Sequence, residues 1–331
     1  SGRDEERAGR EEIFGGAPRL TNSTGADHIR RRGAVAPPFT HRSIEDVRTK
    51  IFETAARIVD AVERGEPFDL LETVARPIVD TLLPARLGVE PEQYAEFAEW
   101  ARAMLIASEP FASEQQMTQG RDARRALSDY LAGFDRESAL GHGSAITLAL
   151  GARDDGTLTA DEVNAVMIDI ALGDGLIAMI GSTALALAEH PDQWALLRDD
   201  PSLVPDAVEE LVRWDPSSHT LMRVVTAETV LGEQPLKPGD MLFLMVGAAN
   251  RDPARFDDPD RLDVTSVPRP HLSFAAGTHF CIGAPFARLT LEAAIDAIVA
   301  RFERLEVVKD GVERTTTFLT RTLERLEMVA H

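Results

Sequence analysis

The sequence predicts a mainly α chain with small β-sheets, an α+β organisation, read as one domain over residues 1–331. Three observations predict it. Apolar residues recur at helical spacing through the first two thirds of the chain. One apolar stretch, between Thr159 and His190, is far longer than the others. From Arg223 to Asn250 the pattern switches to alternation with β-branched residues and glycine turns. At 331 residues, 44% of them hydrophobic, the chain can bury a large core.

The elements follow in order. A shortened N-terminal segment, residues 1–27, opens on "SGRDEERAGREE", charged where a signal peptide would be apolar. A helix-rich part, 28–214, comes next. In "SIEDVRTKIFETAARIVDAVERG", Ser43 offers an N-cap with Asp46 three residues on, Val47, Ile51, Ile58 and Val62 share a face, and Gly65 stops the helix. Further helices are expected around Leu70 to Leu83, Pro91 to Ala107 and Ser113 to Phe134. Thr159 and Glu162 form a capping box ahead of a helix expected to run until His190-Pro191 ends it, with the paired Gly173 and Gly175 offering a kink. Pro205 to Trp214 is a short helix. Residues 215–270 hold a β-meander with turns at Gly232-Glu233 and Pro238-Gly239-Asp240, plus a connecting region. In 271–331 a glycine-punctuated loop leads into a helix with Leu291, Ile295, Ile298 and Phe302 on one face, and strands near Leu305 to Val308 and Thr316 to Met328 close the chain.

Composition excludes several classes. A formal charge of −20 repels phosphate backbones, and the "IRRRG" cluster at 29–33 is too short to reverse it, so no nucleic-acid partner is expected. No uninterrupted apolar run reaches the roughly 20 residues of a membrane span, which predicts a soluble, cytoplasmic protein. A single cysteine rules out an intrachain disulfide, a zinc ribbon and a four-cysteine iron–sulfur site.

That cysteine, Cys281, stands in "HLSFAAGTHFCIGAPFARLTLEAA". A lone cysteine is ordinarily a small buried hydrophobe. This one sits at a helix N-terminus, where the dipole and free N–H groups favour thiolate over thiol, and glycines around it let the backbone approach a flat object closely. The pattern Phe274-x-x-Gly277-x-His279-x-Cys281-x-Gly283, followed by Ala287-Arg288, resembles the haem-binding loop of the cytochrome P-450 family of soluble bacterial type. The resemblance extends from about Asp27 to the C-terminus.

It implies a helix-rich triangular prism around a buried haem b (iron protoporphyrin IX), crossed by a long central helix, with the Cys281 thiolate as axial iron ligand. It further implies that Phe274, Gly277, His279 and Gly283 shape the cofactor loop. His28 and Arg32, four apart on a helix, would clamp the propionates together with Arg223 and His271. Glu210 and Arg213, on one helix face, would lock the loop with Arg261 as third member. The substrate pocket would be lined by the segment before His28, the region from Pro91 to Tyr130, the central helix and the strand after Leu221.

Three departures stand out. The family's central helix carries an Ala-Gly-x-acid-Thr stretch that helps deliver protons to bound dioxygen; here the matching residues are Ala171, Leu172, Gly173, Asp174 and Gly175. Asp174 keeps the acid as a proton relay, while Gly175 stands where the threonine hydroxyl would be. Ser182 lies two turns beyond, at about 5.4 Å per turn, and does not substitute. Only 27 residues precede His28, where the family places several more segments. Ala275 replaces a glycine common beside the loop phenylalanine.

Two functions follow. The first is a haem-thiolate oxidoreductase, a monooxygenase or atypical oxidase acting on a mid-sized, largely apolar natural-product intermediate and fed by a ferredoxin-type partner. The missing threonine points it toward substrate-assisted, peroxide-driven or non-hydroxylating chemistry. The alternative is a catalytically inactive homologue that stabilises another biosynthetic enzyme. The retained Cys281, His28, Arg32, Arg223 and His271 favour the first.

Overall fold

The computed structural model describes residues 19–107, 112–134, 143–171, 173–315 and 320–331. The expectations for Leu172, for the first residues of the chain and for the start of the last strand at Thr316 lie outside them. The fold is mainly helical with three small antiparallel sheets. Its chain divides into two compact units, each discontinuous in sequence: one spans Ser1–Thr54, Arg76–Asp174 and Cys281–Leu289, the other Ala55–Ala75, Gly175–Phe280 and Thr290–His331.

The first unit is built from helices. These are α1 (Gly25–Val35), the N-terminal half of α2 (Arg48–Asp60), α3 (Arg76–Leu87), α4 (Tyr94–Ala107), α5 (Glu114–Ala132), α6 (Ala145–Asp154) and α7 (Ala160–Ile170). The helix expected from Ser43 begins later, at Arg48. Thr40 caps a short preceding turn, its hydroxyl accepting the Ser43 N–H, so Ser43 is itself inside a helix and cannot cap one. The capping box at Thr159 and Glu162 forms as expected: Thr159 N–H donates to Glu162 Oε2 at 2.9 Å and Glu162 N–H to Thr159 Oγ1 at 3.2 Å. α1 packs against both α6 and α7.

The long central helix is interrupted. α7 ends at Ile170 and α8 (Asp174–Glu189) begins at Asp174. Glycine weakens a helix, and Gly173 is kept by crowding: a Cβ there would lie 2.7 Å from Val79 Cγ1 of α3. α8 stops before His190-Pro191, as expected. By length and composition the stretch Ala160–Glu189 could cross a membrane, but 76% of its most apolar window is buried inside the protein, the condition of a core helix.

The second unit holds α8 from Gly175 onward, α9 (Pro191–Asp199), α10 (Val204–Trp214) and the sheets. β1 (Pro67–Asp69), β6 (Leu305–Arg314) and β7 (Leu323–Ala330) form one sheet in the order β1-β7-β6. β1 was not expected, because three residues are too few to show alternation. The meander resolves into two pairs, β2 (Thr220–Val224) with β5 (Met241–Met245) and β3 (Thr229–Leu231) with β4 (Gln234–Leu236). Both predicted turns form, with Gly232 and Gly239 at φ 60° and 92°, where a side chain is strained. α11 (Ala284–Arg301) follows Cys281 and passes from the first unit into the second.

Candidate functional site

In the first unit, Cys281 lies three residues ahead of α11 and is exposed to solvent. The N–H groups of Gly283 and Ala284 are aimed at its sulfur, and the charges of Arg32 and Arg288 act on it. All four pull the thiol pKa down, yet protein packed around the sulfur pushes it up and outweighs them, although water still reaches the side chain. A Cβ on Gly283 would lie 4.0 Å from Sγ, so that glycine is not required by the sulfur itself.

The three arginines of α1 divide in two. Arg30 and Arg31 both donate to Glu162. Arg32 is half-buried, and among the described residues no carboxylate pairs with it; burial lowers its pKa and Cys281 is the opposing charge. His28, one helical turn before Arg32, is buried.

In the second unit, Glu210 and Arg213 form the predicted lock. Arg213 Nε and Nη2 donate to the two Glu210 oxygens at 2.6 and 2.7 Å, both side chains buried. The third member is not Arg261. Its side chain is 64% exposed and, among the described residues, its ion-pair partner is Asp263, at 3.9 Å, because its place in an open loop lets it remain hydrated. Backbone groups close the lock instead: Arg213 Nη1 donates to the carbonyls of Asn250 and Pro259, and Asp263 N–H donates to Glu210 Oε1.

Asn250, which the sequence reading missed, is fully buried and central to this network. Its amide nitrogen donates to Arg213 O and Ser273 Oγ, and its Oδ1 accepts the Leu272 N–H at 2.8 Å. Ser273 Oγ in turn donates to Val212 O. The one available signal was an asparagine closing an apolar run.

His271 opens the stretch that leads into the cysteine loop. Its side chain is 2% exposed; Nδ1 accepts the Ser273 N–H at 3.2 Å and Nε2 lies 3.3 Å from Glu209 Oε2. Among the described residues Nε2 is buried without a hydrogen-bond partner. Phe274 is buried between His271 and Phe280, ring centroids 5.9 and 6.4 Å away. Gly277 has φ 70°, as a tight loop demands, and His279 is half-buried. Arg223 projects from β2, exposed, with Nη1 donating to Met222 O.

Asp174 opens α8 and lies 3.5 Å from Arg102 Nε of α4. Nearby Tyr94 has its pKa pushed up, first by burial and then by Asp80 and Asp174, against Arg102 and Arg76. At Gly175 an added Cβ would meet nothing within 4 Å, and its φ is not positive. Among the described residues Ser182 is buried without a hydrogen-bond partner, whereas Thr183 Oγ1 is committed to Ile180 O.

A family model described as Cytochrome P-450 matches residues 193–325. The chain is 32% identical over 316 residues to the 6-deoxyerythronolide B hydroxylase of Saccharopolyspora erythraea, covering 94% of this chain and 77% of that one. It is 32% identical over 287 residues to the nocardicin C N-oxygenase of Nocardia uniformis subsp. tsuyamanensis, covering 85% and 71%. The crystal structure of CalO2 superposes with a TM-score of 0.90 at 27% identity, covering 98% of this chain and 85% of the other.

Proposed function

Because this chain belongs to the cytochrome P-450 family, and is therefore a haem-iron oxidoreductase of the monooxygenase type, we propose that Cys281 ligates haem b and that the substrate is a mid-sized, largely apolar natural-product intermediate. The observation that carries this reading is Arg32. A half-buried guanidinium with no acid partner among the described residues, acting on Cys281, a solvent-exposed residue, suits a dianionic iron porphyrin. The donor set fits as well: one sulfur with two N–H groups aimed at it.

Arg32 would hold a propionate, with His28 on the same helix face, and the family resemblance supplies Arg223 and His271 as further donors; His279 belongs to the loop. Phe274, Gly277 and Gly283 shape the loop. Haem, when bound through a thiolate, supplies activation of dioxygen or peroxide and oxygen-atom transfer. The chain's own contribution is positioning and proton supply. Asp174 relays protons, and at Gly175 no hydroxyl is available, so part of the proton path runs through water or the substrate. This favours substrate-assisted, peroxide-driven or non-hydroxylating chemistry. Electrons would come from a ferredoxin-type protein docking over the Cys281 face.

The test is the absorption spectrum of purified wild type and Cys281→Ser, oxidised and then reduced under carbon monoxide. A thiolate-type shift in wild type, absent in the variant, is the expected result. No haem band after reconstitution overturns the reading and returns the search to a protein partner.

A further inference from the structure

Glu162 has two roles at once. Its backbone and side chain cap the start of α7, and its carboxylate receives two consecutive arginines of α1. Arg30 Nη2 and Nη1 donate to Oε1 and Oε2 at 2.7 and 3.1 Å, and Arg31 Nε and Nη2 approach Oε1 at 2.9 and 2.8 Å. Arg30 also donates to Thr157 O at 2.6 Å. Glu162 and Arg31 are both buried.

Successive residues of an α-helix are about 100° apart, since 3.6 residues complete a turn. A helix held by one side chain can still roll about its axis. Two adjacent side chains clamped to the same carboxylate forbid that roll, and the third arginine must then leave from another face. That face carries Arg32 and, one turn earlier, His28. Arg32 finds no carboxylate there among the described residues and acts on Cys281.

We infer that Glu162 is a positioning residue for the cofactor site: by fixing Arg30 and Arg31 it sets the rotation of α1 and presents Arg32 as an unpaired cation beside Cys281. This rests on the haem reading above. Glu162 does not touch the cofactor; it acts through Arg32.

The experiment is haem loss from the holoprotein to an excess of haem-free globin, for wild type, Glu162→Gln, Arg32→Gln and the double variant. Glutamine is tolerated at the third position of a capping box, so the cap survives in Glu162→Gln. Haem loss is expected to accelerate about tenfold in each single variant, the usual scale for an outer support of a metal ligand set. The double variant is expected to lose haem no more than about twice as fast as Arg32→Gln alone, because both act along one path. Arg31→Lys, which keeps the charge but not the fork, should fall between wild type and Glu162→Gln, and serves if Glu162→Gln does not fold. Wild-type haem loss in Glu162→Gln, or effects that multiply in the double variant, overturns the inference alone. A wild type that takes up no haem overturns the haem reading, and the inference with it.

Discussion

Arg102 of α4 sets its Nε 3.5 Å from Asp174 Oδ1, so the acid of the central helix faces a guanidinium on another element. Each side chain is about one-third exposed (35% and 33%), and an ion pair that wet contributes roughly 0–1 kcal/mol to stability. On the proposed relay role of Asp174, the pair would act on proton delivery rather than on stability. Arg102→Gln should leave the melting temperature nearly unchanged while altering the fraction of consumed electrons recovered in product. Asp174→Asn should cut turnover roughly 10²-fold, the scale of a lost general acid, with an enlarged solvent isotope effect. Unchanged turnover in Asp174→Asn would remove Asp174 from the relay.

Gly175 has room. With nothing within 4 Å of an added Cβ, Gly175→Thr should fold and gain a few tenths of a kcal/mol of helix propensity. If the absent hydroxyl is what diverts the chemistry, the variant should release less hydrogen peroxide per electron pair and form more hydroxylated product. Peroxide release at the wild-type level would place the control of proton delivery elsewhere.

Ala275 sits at φ 59°, a left-handed conformation that costs an L-residue about 1–2 kcal/mol. Ala275→Gly removes the strain and gives back part of it as chain entropy in the unfolded state, for a net gain of about 0.5 kcal/mol. Chemical denaturation should show the midpoint rising with an unchanged slope. A lowered midpoint would mean the Ala275 methyl packs against something the strain offsets.

Glu162 is held at about 2 by Arg30 first and then by the Thr159 N–H and Arg31, against burial, from an ordinary 4.5. A carboxyl whose folded pKa is depressed adds stability that is complete above its unfolded pKa and is lost as pH falls through its folded one. Between pH 5 and pH 2 the wild type should therefore lose about 2–3 kcal/mol more than Glu162→Gln. Parallel stability curves for the two proteins over that range would contradict the assignment.

Arg213 and Arg261 should behave differently despite the shared motif. Arg213→Ala strands the buried Glu210 carboxylate and leaves two carbonyls without a donor, costing about 3–5 kcal/mol. Arg261→Ala removes an exposed side chain and should stay within about 0.5 kcal/mol. Equal losses on thermal denaturation would restore Arg261 to the lock.

What the sequence disclosed follows a physical line. The capping box at Thr159 and the glycine turns at 232 and 239 are local codes, and they formed as expected. The Cys281 loop was legible because its residues are consecutive. The Arg261 assignment failed because a third lock member is defined by which group reaches a buried carboxylate across a loop, and backbone N–H and C=O groups compete for that place without leaving a mark in the sequence. The break near Gly173 was signalled locally by the paired Gly173 and Gly175, whereas the crowding of Gly173 by Val79 and Leu83, some ninety positions away, left no mark in the sequence.

The bonds that Asn250 makes bear on how the protein would mature. Leu272, Ser273, Arg213 and Val212 are joined through Asn250 and Ser273 by protein groups alone. The stretch leading into the cysteine loop is therefore ordered when its unit folds, and its conformational freedom is already surrendered before any cofactor arrives. Preorganisation of this kind lowers the entropy that binding must remove. Asn250→Ala would shift that ordering from the folding step to the uptake step, so newly made protein would acquire haem more slowly even where its final spectrum matched the wild type.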